Sequence, residues 1–231
     1  MKVLEKTIAY SPPLIFSKIE GIESKNGIQA EGWIITVGGT PKEILSHKPE
    51  FTYKRLIAAS KMAKKLGAKI MGLGAFTKVV GDAGITVAKH SPIPITTGNS
   101  YSASATLWAA AEGTKRLGLV TIPEGKEKLN ASSMVIGATG SIGSVSSKLL
   151  AMVFKDVILC GRNEEKLQEL KKTIIDENPK SNIYTTTNAD NYLHDVDLVV
   201  TAISGVGKKI LDITKVKPGC VITDVARPLD L

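Results

Sequence analysis

Aromatic side chains are scarce in this 231-residue chain, at 5%, so aliphatic residues and alanine must supply most of any core. No run of about eighteen consecutive apolar residues occurs, which leaves out a membrane-spanning helix. The opening, MKVLEKTIAY, lacks the apolar segment of a secretory signal. Two cysteines are too few for a disulfide framework. Cys160 follows Val157, Ile158 and Leu159, and Cys220 precedes Val221 and Ile222; in such runs a thiol behaves as a small buried hydrophobe. A reducing, cytoplasmic setting is the expectation. His47, His90 and His194 are scattered without metal-ligand spacing, so no metal is expected.

What remains is ordinary globular material, 43% hydrophobic and 23% charged, far from the composition of a disordered chain. The length suggests one or two domains of about 100–150 residues. The net charge is +8. Lysines such as Lys61, Lys64, Lys65, Lys171 and Lys172 fall between apolar positions, which reads as solvated helix faces. The alternative is attraction to an anionic partner, such as a dinucleotide or a phosphopantetheine carrier. No helix-turn-helix, zinc-finger or RNA-recognition signature accompanies the charge, so nucleic acid is not an expected partner.

The first fifty residues show one short strand, Ile34 to Val37, closed by Gly38 and Gly39, with Pro12, Pro13, Pro41 and Pro49 as turns or loops. Leu56, Ala59, Met62, Ala63 and Leu66 then recur at helical spacing before Gly67. Strands follow over Lys69–Leu73 and Pro94–Thr97, and a helix over Ser100–Leu117. The polar stretch 121–130 reads as a linker. Beyond it, strands over Ser132–Ile136, Val157–Cys160, Asn182–Thr187, Asp197–Ile203 and Cys220–Asp224 alternate with helices over Ser141–Val153 and around Leu167–Ile175. This rhythm predicts an α/β fold: a Rossmann-type doubly wound parallel sheet over 130–231, with a smaller N-terminal α/β domain over 1–118. The helix near 100–117 would link the two.

The strongest motif is Gly137-Ala138-Thr139-Gly140-Ser141-Ile142-Gly143, set between a strand and an amphipathic helix. Glycines there allow the tight turn, close approach of a pyrophosphate, and close packing of helix on strand. The helix start then offers unpaired N–H groups and a positive dipole end to phosphates. The spacing G-x-x-G-x-x-G departs from G-x-G-x-x-G, so the strand–turn–helix context carries much of the weight.

The end of the next strand selects the cofactor. An NAD-preferring site places Asp or Glu there for the ribose 2′-hydroxyl. Here the residues are Gly161-Arg162-Asn163. A guanidinium cannot accept a bond from that hydroxyl, but it can fork onto a 2′-phosphate and stack on adenine. The expected cofactor is therefore NADP(H). Ala202, Ile203 and Ser204 close the fourth strand of the series, where the nicotinamide end should lie, and Asp224 closes the fifth.

The run GLGAFTKVVGDAGITVAKHSPIPITTGNSYSASATLWAA, followed by GATGSIG and GRN, resembles the long-chain acyl-[acyl-carrier-protein] reductase family and bacterial relatives described as predicted amino-acid dehydrogenases. The resemblance is clear from Phe51 to Asn163 and fainter to Leu231. It implies an NADPH-dependent reduction of a fatty acyl thioester to an aldehyde, in a cleft between the domains. It also implies that Gly74, Phe76, Thr96, Thr97, Gly98 and Asn99 line the substrate side. Independently, Thr97 and Asn99 sit between a strand end and a helix start, where they could meet a carbonyl or simply cap the helix. Lys78 and Asp82 are an acid–base pair or a solvated loop pair.

The family's acylated cysteine belongs to a C-terminal segment with no counterpart before DVARPLDL, and neither Cys160 nor Cys220 suits that role. The expectation is either a truncated chain or chemistry without a covalent intermediate. Three functions stay open: a reductase acting on a small-molecule or carrier-protein-linked acyl substrate, a dehydrogenase of small hydroxy or amino acids resembling shikimate dehydrogenase, and a non-catalytic NADP-binding module. A homo-oligomer is compatible with each.

Overall fold

The computed structural model describes residues 8–74, 81–82, 84–118, 128–203 and 211–225. The linker expected at 121–130 lies mostly outside them. The chain divides into two compact units, Met1–Gly98 and Asn99–Leu231.

The first unit opens with a hairpin of β1 (Leu14–Glu23) and β2 (Gln29–Thr36). Only the end of this hairpin was legible, because register shifts between Ile15 and Ser17 and between Ile19 and Ile22 break the two-residue period. Two of the prolines expected in turns instead start helices, α1 (Pro41–Ser46) and α2 (Pro49–Lys65). A first helical position has no N–H partner to lose, and the ring presets φ. α2 buries Leu56, Ala59 and Ala63, and its lysines lie outward as the charge pattern predicted. Two-residue strands β3 (Met71–Gly72) and β4 (Ile95–Thr96) pair in parallel. Between them lies α3 (Ile85–His90), too short to show helical periodicity in the sequence.

The second unit begins with α4 (Asn99–Arg116), which packs on α5 (Ser141–Val153) and on β9 (Val221–Asp224). By its packing this helix groups with the second unit. Five parallel strands follow the order β7-β6-β5-β8-β9, where β5 is Leu129–Ile136, β6 Phe154–Cys160, β7 Asn182–Thr186 and β8 Leu198–Thr201. α5 and α6 (Glu164–Glu177) connect β5 to β6 and β6 to β7. One face buries Val135, Val157, Leu159 and Val200 beneath Ala110, Leu150, Leu167 and Ile174 of the helices. The other buries Met134, Ile136, Ile158 and Val199 with Leu193, Val196 and Leu211. Burial on both faces explains why these strands read as continuous apolar runs. The parallel α/β sheet with reversal of order at β5 is the Rossmann-type architecture the sequence predicted.

Asp197 ties the amino-terminal edge of this sheet. Its Oδ2 accepts from the Ser132 amide at 2.9 Å and its Oδ1 from Lys217 Nζ at 2.5 Å. Burial pushes this carboxyl up, but the Lys217 ammonium and the Ser132 amide outweigh it and hold it below the usual carboxylate range. Its contribution is therefore present above the unfolded pKa near 4 and lost as pH falls through the lower folded value. Asp197→Asn is expected to cost about 2 kcal/mol at pH 7 and much less near pH 3, measured by urea denaturation at both.

Candidate functional site

The glycine-rich turn sits at the carboxyl end of β5. Gly137 adopts φ +82°, and its amide and that of Ala138 both donate to Cys160 O, at 2.9 and 3.0 Å. That shared acceptor ties the turn to the end of β6. A Cβ on Gly137 would stand 2.8 Å from Ala202 O, and one on Gly143 only 2.1 Å from Gly137 O. So Gly137 serves the turn and Gly143 the close packing of α5 on it. Gly140 is the N-cap of α5 and brings no side-chain acceptor, which leaves amides of the first turn for an outside anion. Ala138 is buried, whereas Thr139, Gly140 and Ser141 are exposed along the rim and Ile142 is half-buried.

Strand order reverses around β5, whose neighbours are β6 and β8. In open parallel sheets a ligand crevice forms outside the carboxyl ends at such a point. Beside it, Ala202 N donates to Ile136 O at 2.9 Å, bringing Ala202 and Ile203 next to Gly137. Ser204 lies outside the described residues. On the other side β6 ends at Cys160, followed by exposed Arg162. Arg162 makes no ion pair or hydrogen bond among the described residues. Asn163 caps α6, its Oδ1 accepting from Lys166 N at 2.9 Å. Two features of this edge escaped the sequence reading. Thr201 Oγ1 donates to Asp224 Oδ1 at 2.6 Å, fixing the ends of β8 and β9. Thr186 and Asn188 form a polar turn after β7, next to Gly161, whose amide donates to Thr186 O. The run TTTNAD was the available signal.

Neither thiol is a ready nucleophile. Burial pushes Cys160 up to about 11. Burial, with the Asp197 charge adding to it, pushes Cys220 to about 11 as well. At pH 8 roughly a thousandth of either would be thiolate. Native protein is expected to react with a thiol reagent such as Ellman's at least about a hundredfold more slowly than free cysteine. Fast labelling of either residue without unfolding would contradict this.

In the first unit, the ladder pairs Gly72 with Thr96, and Leu73 N donates to Thr96 O at 2.7 Å. Gly74, Thr96 and Thr97 therefore share one end of the β3–β4 pair. Gly98 has φ +72° and closes this unit, while Asn99 begins α4 in the second. Phe76 and Lys78 lie outside the described residues. Asp82 serves α3: its Oδ2 accepts from Thr86 N at 2.9 Å and Thr86 Oγ1 at 2.6 Å. The Thr86 hydroxyl in particular holds this carboxyl below its usual range. That is the chemistry of a helix cap rather than of a proton shuttle at neutral pH.

Residues 124–231 match the family model described as Shikimate / quinate 5-dehydrogenase. Across nearly the whole chain, the aminotransferase PigE of Serratia sp. (strain ATCC 39006) is 28% identical over 216 residues, covering 94% of this chain and 24% of that protein. A long-chain acyl-[acyl-carrier-protein] reductase of Synechococcus elongatus is 25% identical over 230 residues, 96% of this chain and 63% of that protein. The chain thus spans about a quarter and under two thirds of these relatives' lengths. Among solved structures, quinate dehydrogenase from Corynebacterium glutamicum in complex with NAD gives a TM-score of 0.39 at 12% identity, over 58% of this chain and 45% of that one. No helix among the described residues is long and apolar enough to cross a membrane. Residues 124–231 of the second unit are thus similar to an oxidoreductase-type NAD(P)-binding domain of the shikimate dehydrogenase kind, and the chain as a whole has weak homology to an acyl reductase and to PigE.

Proposed function

We propose that this chain binds NADPH on the second unit and delivers its hydride to an acyl carbonyl. The carrying observation is Arg162: an exposed guanidinium without an ion-pair partner among the described residues, at the strand end where NAD-preferring sites place an acid. The pyrophosphate rests on amides around Gly140, Ser141 and Ile142, with Gly137 and Gly143 permitting the approach. The nicotinamide reaches toward Ala202, Ile203 and Ser204. Thr96, Thr97, Gly98 and Asn99, with Gly74 and Phe76, form the substrate side, where hydroxyls and an amide can donate to a carbonyl oxygen. The similarity to the acyl-carrier-protein reductase supports a thioester substrate. The balanced reaction is NADPH, an acyl thioester and a proton giving NADP⁺, an aldehyde and a free thiol. With both thiols protonated, hydride transfer to the thioester directly is the simplest course for these residues.

A second reading, oxidation of a small hydroxy acid with NADP⁺, is supported by the match of residues 124–231 to the shikimate and quinate dehydrogenase family. Following absorbance at 340 nm separates the two. NADPH consumed only with a long-chain acyl thioester, with aldehyde formed, supports the first. NADPH formed from NADP⁺ with shikimate or quinate replaces it by the second. Binding without turnover of either leaves a non-catalytic cofactor module.

A further inference from the structure

Three side chains gather on one face at the carboxyl edge of the second unit's sheet. Val199 and Ile222 belong to the core cluster of that face, and Ile203 packs against it. Side chains along a strand alternate between faces. Thr201, two residues after Val199, and Asp224, two after Ile222, therefore emerge on the same side. The ladder sets Ile136, Thr201 and Asp224 abreast across β5, β8 and β9. Two strand spacings, about 10 Å, separate Asp224 from the strand end that carries the glycine turn. Ile203 stands beside that turn, since a Cβ on Gly137 would come 2.9 Å from its Cγ1. A dinucleotide with its diphosphate on the turn has a ribose and a pyridine ring to lay across this distance, past Ile203.

The carboxyl group is firmly placed. Thr201 is fully buried, and its Oγ1 donates to Asp224 Oδ1 at 2.6 Å, the length of a hydroxyl bonded to a carboxylate. The backbone is held beyond it as well, where Val225 N donates to Thr201 O at 3.0 Å. The backbone ladder already pairs β8 with β9 through these two residues, so closing the sheet does not call for a hydroxyl and a carboxylate. Burying them costs solvation that apolar side chains would not. Asp224 remains half-buried, within reach of a small polar group at the edge.

An ionised carboxylate only accepts hydrogen bonds, and a primary amide nitrogen offers two donors. The nicotinamide ring carries such an amide. Nicotinic acid carries a carboxylate in its place, which Asp224 would repel. We propose that Asp224 accepts a hydrogen bond from the carboxamide of the nicotinamide, with Thr201 as its positioning residue, so that this edge selects nicotinamide dinucleotides over their nicotinic acid analogues. The inference rests on the reading that the second unit binds NADP(H), and it adds what holds the far end of the cofactor.

The test is calorimetric titration with three probes: NADP⁺, nicotinic acid adenine dinucleotide phosphate, and 2′-phospho-ADP-ribose, which has no pyridine ring. Wild type should prefer NADP⁺ to the nicotinic acid analogue by about tenfold or more. Asp224→Asn, whose carbonyl oxygen can still accept from Thr201, should bring that ratio to about one or below. Its affinity for 2′-phospho-ADP-ribose should match that of wild type. Thr201→Val should lose part of the preference and Thr201→Ser keep it. An Asp224→Asn variant with a lower Tm but an unchanged ratio would confine the pair to fastening β8 to β9 and overturns the proposal. Equal affinity of wild type for NADP⁺ and the nicotinic acid analogue overturns it too. Failure of 2′-phospho-ADP-ribose to bind wild type overturns the NADP(H) reading, and this inference with it.

Discussion

Replacing Arg162 with alanine is expected to weaken NADPH binding by about tenfold to a hundredfold while changing NADH binding less than about threefold. The difference is the 2′-phosphate. A charge-assisted, forked hydrogen bond nets roughly 1.5–3 kcal/mol, and NADH has nothing in that position to lose. Arg162→Glu should go further and favour NADH, because a carboxylate accepts from the ribose 2′-hydroxyl and repels the phosphate. Stability should stay within about 0.5 kcal/mol of wild type, since Arg162 is exposed and makes no ion pair among the described residues. Fluorescence titration with both nucleotides measures the affinities, and urea denaturation the stability. Equal losses for NADPH and NADH would mean that the guanidinium touches something common to both, such as adenine.

Gly143→Ala is expected to be the most damaging single methyl group in the second unit. Its Cβ would lie 2.1 Å from Gly137 O, 2.8 Å from Gly137 C and 3.0 Å from Ala138 Cα. All three are backbone atoms of the turn, so no rotamer change relieves them. We expect a loss on the order of 3 kcal/mol, a Tm lower by on the order of 10 °C, and no measurable NADPH binding. Gly140→Ala is the control. Its Cβ meets Gly137 O at 3.2 Å and its φ is an ordinary −76°, so the methyl needs only a few tenths of an ångström. It should fold normally and bind more weakly. The reverse order of damage would mean the turn is built differently.

These two positions also mark what the sequence could reveal. The glycine turn and the helix Ser141–Val153 were legible because strand, turn and amphipathic period agree locally. The position of Arg162 just past the end of β6 was legible because the apolar run before it marks the strand. The division of labour between Gly137 and Gly143 was not, since it depends on the path of Ala202 from a distant strand and on the return of α5 over the turn. The Cys160 carbonyl that anchors Gly137 and Ala138 is a backbone group and leaves no mark on residue type. In the first unit the hairpin was hidden by its register shifts; Pro41 was read as a turn because the six-residue α1 shows no period, and Pro49 because the apolar period of α2 becomes visible only from Leu56. The bond from the Thr86 amide to Asp82 was not legible, because α3, whose first turn it joins, is too short to be seen in the sequence.

Parallel titration of one preparation with NADPH and NADH, followed by nucleotide fluorescence, bears most directly on the role of the second unit. NADPH should bind with a micromolar dissociation constant, at least about tenfold tighter than NADH. Failure of both to bind at about 1 mM, or tighter binding of NADH, would contradict a 2′-phosphate held at Arg162.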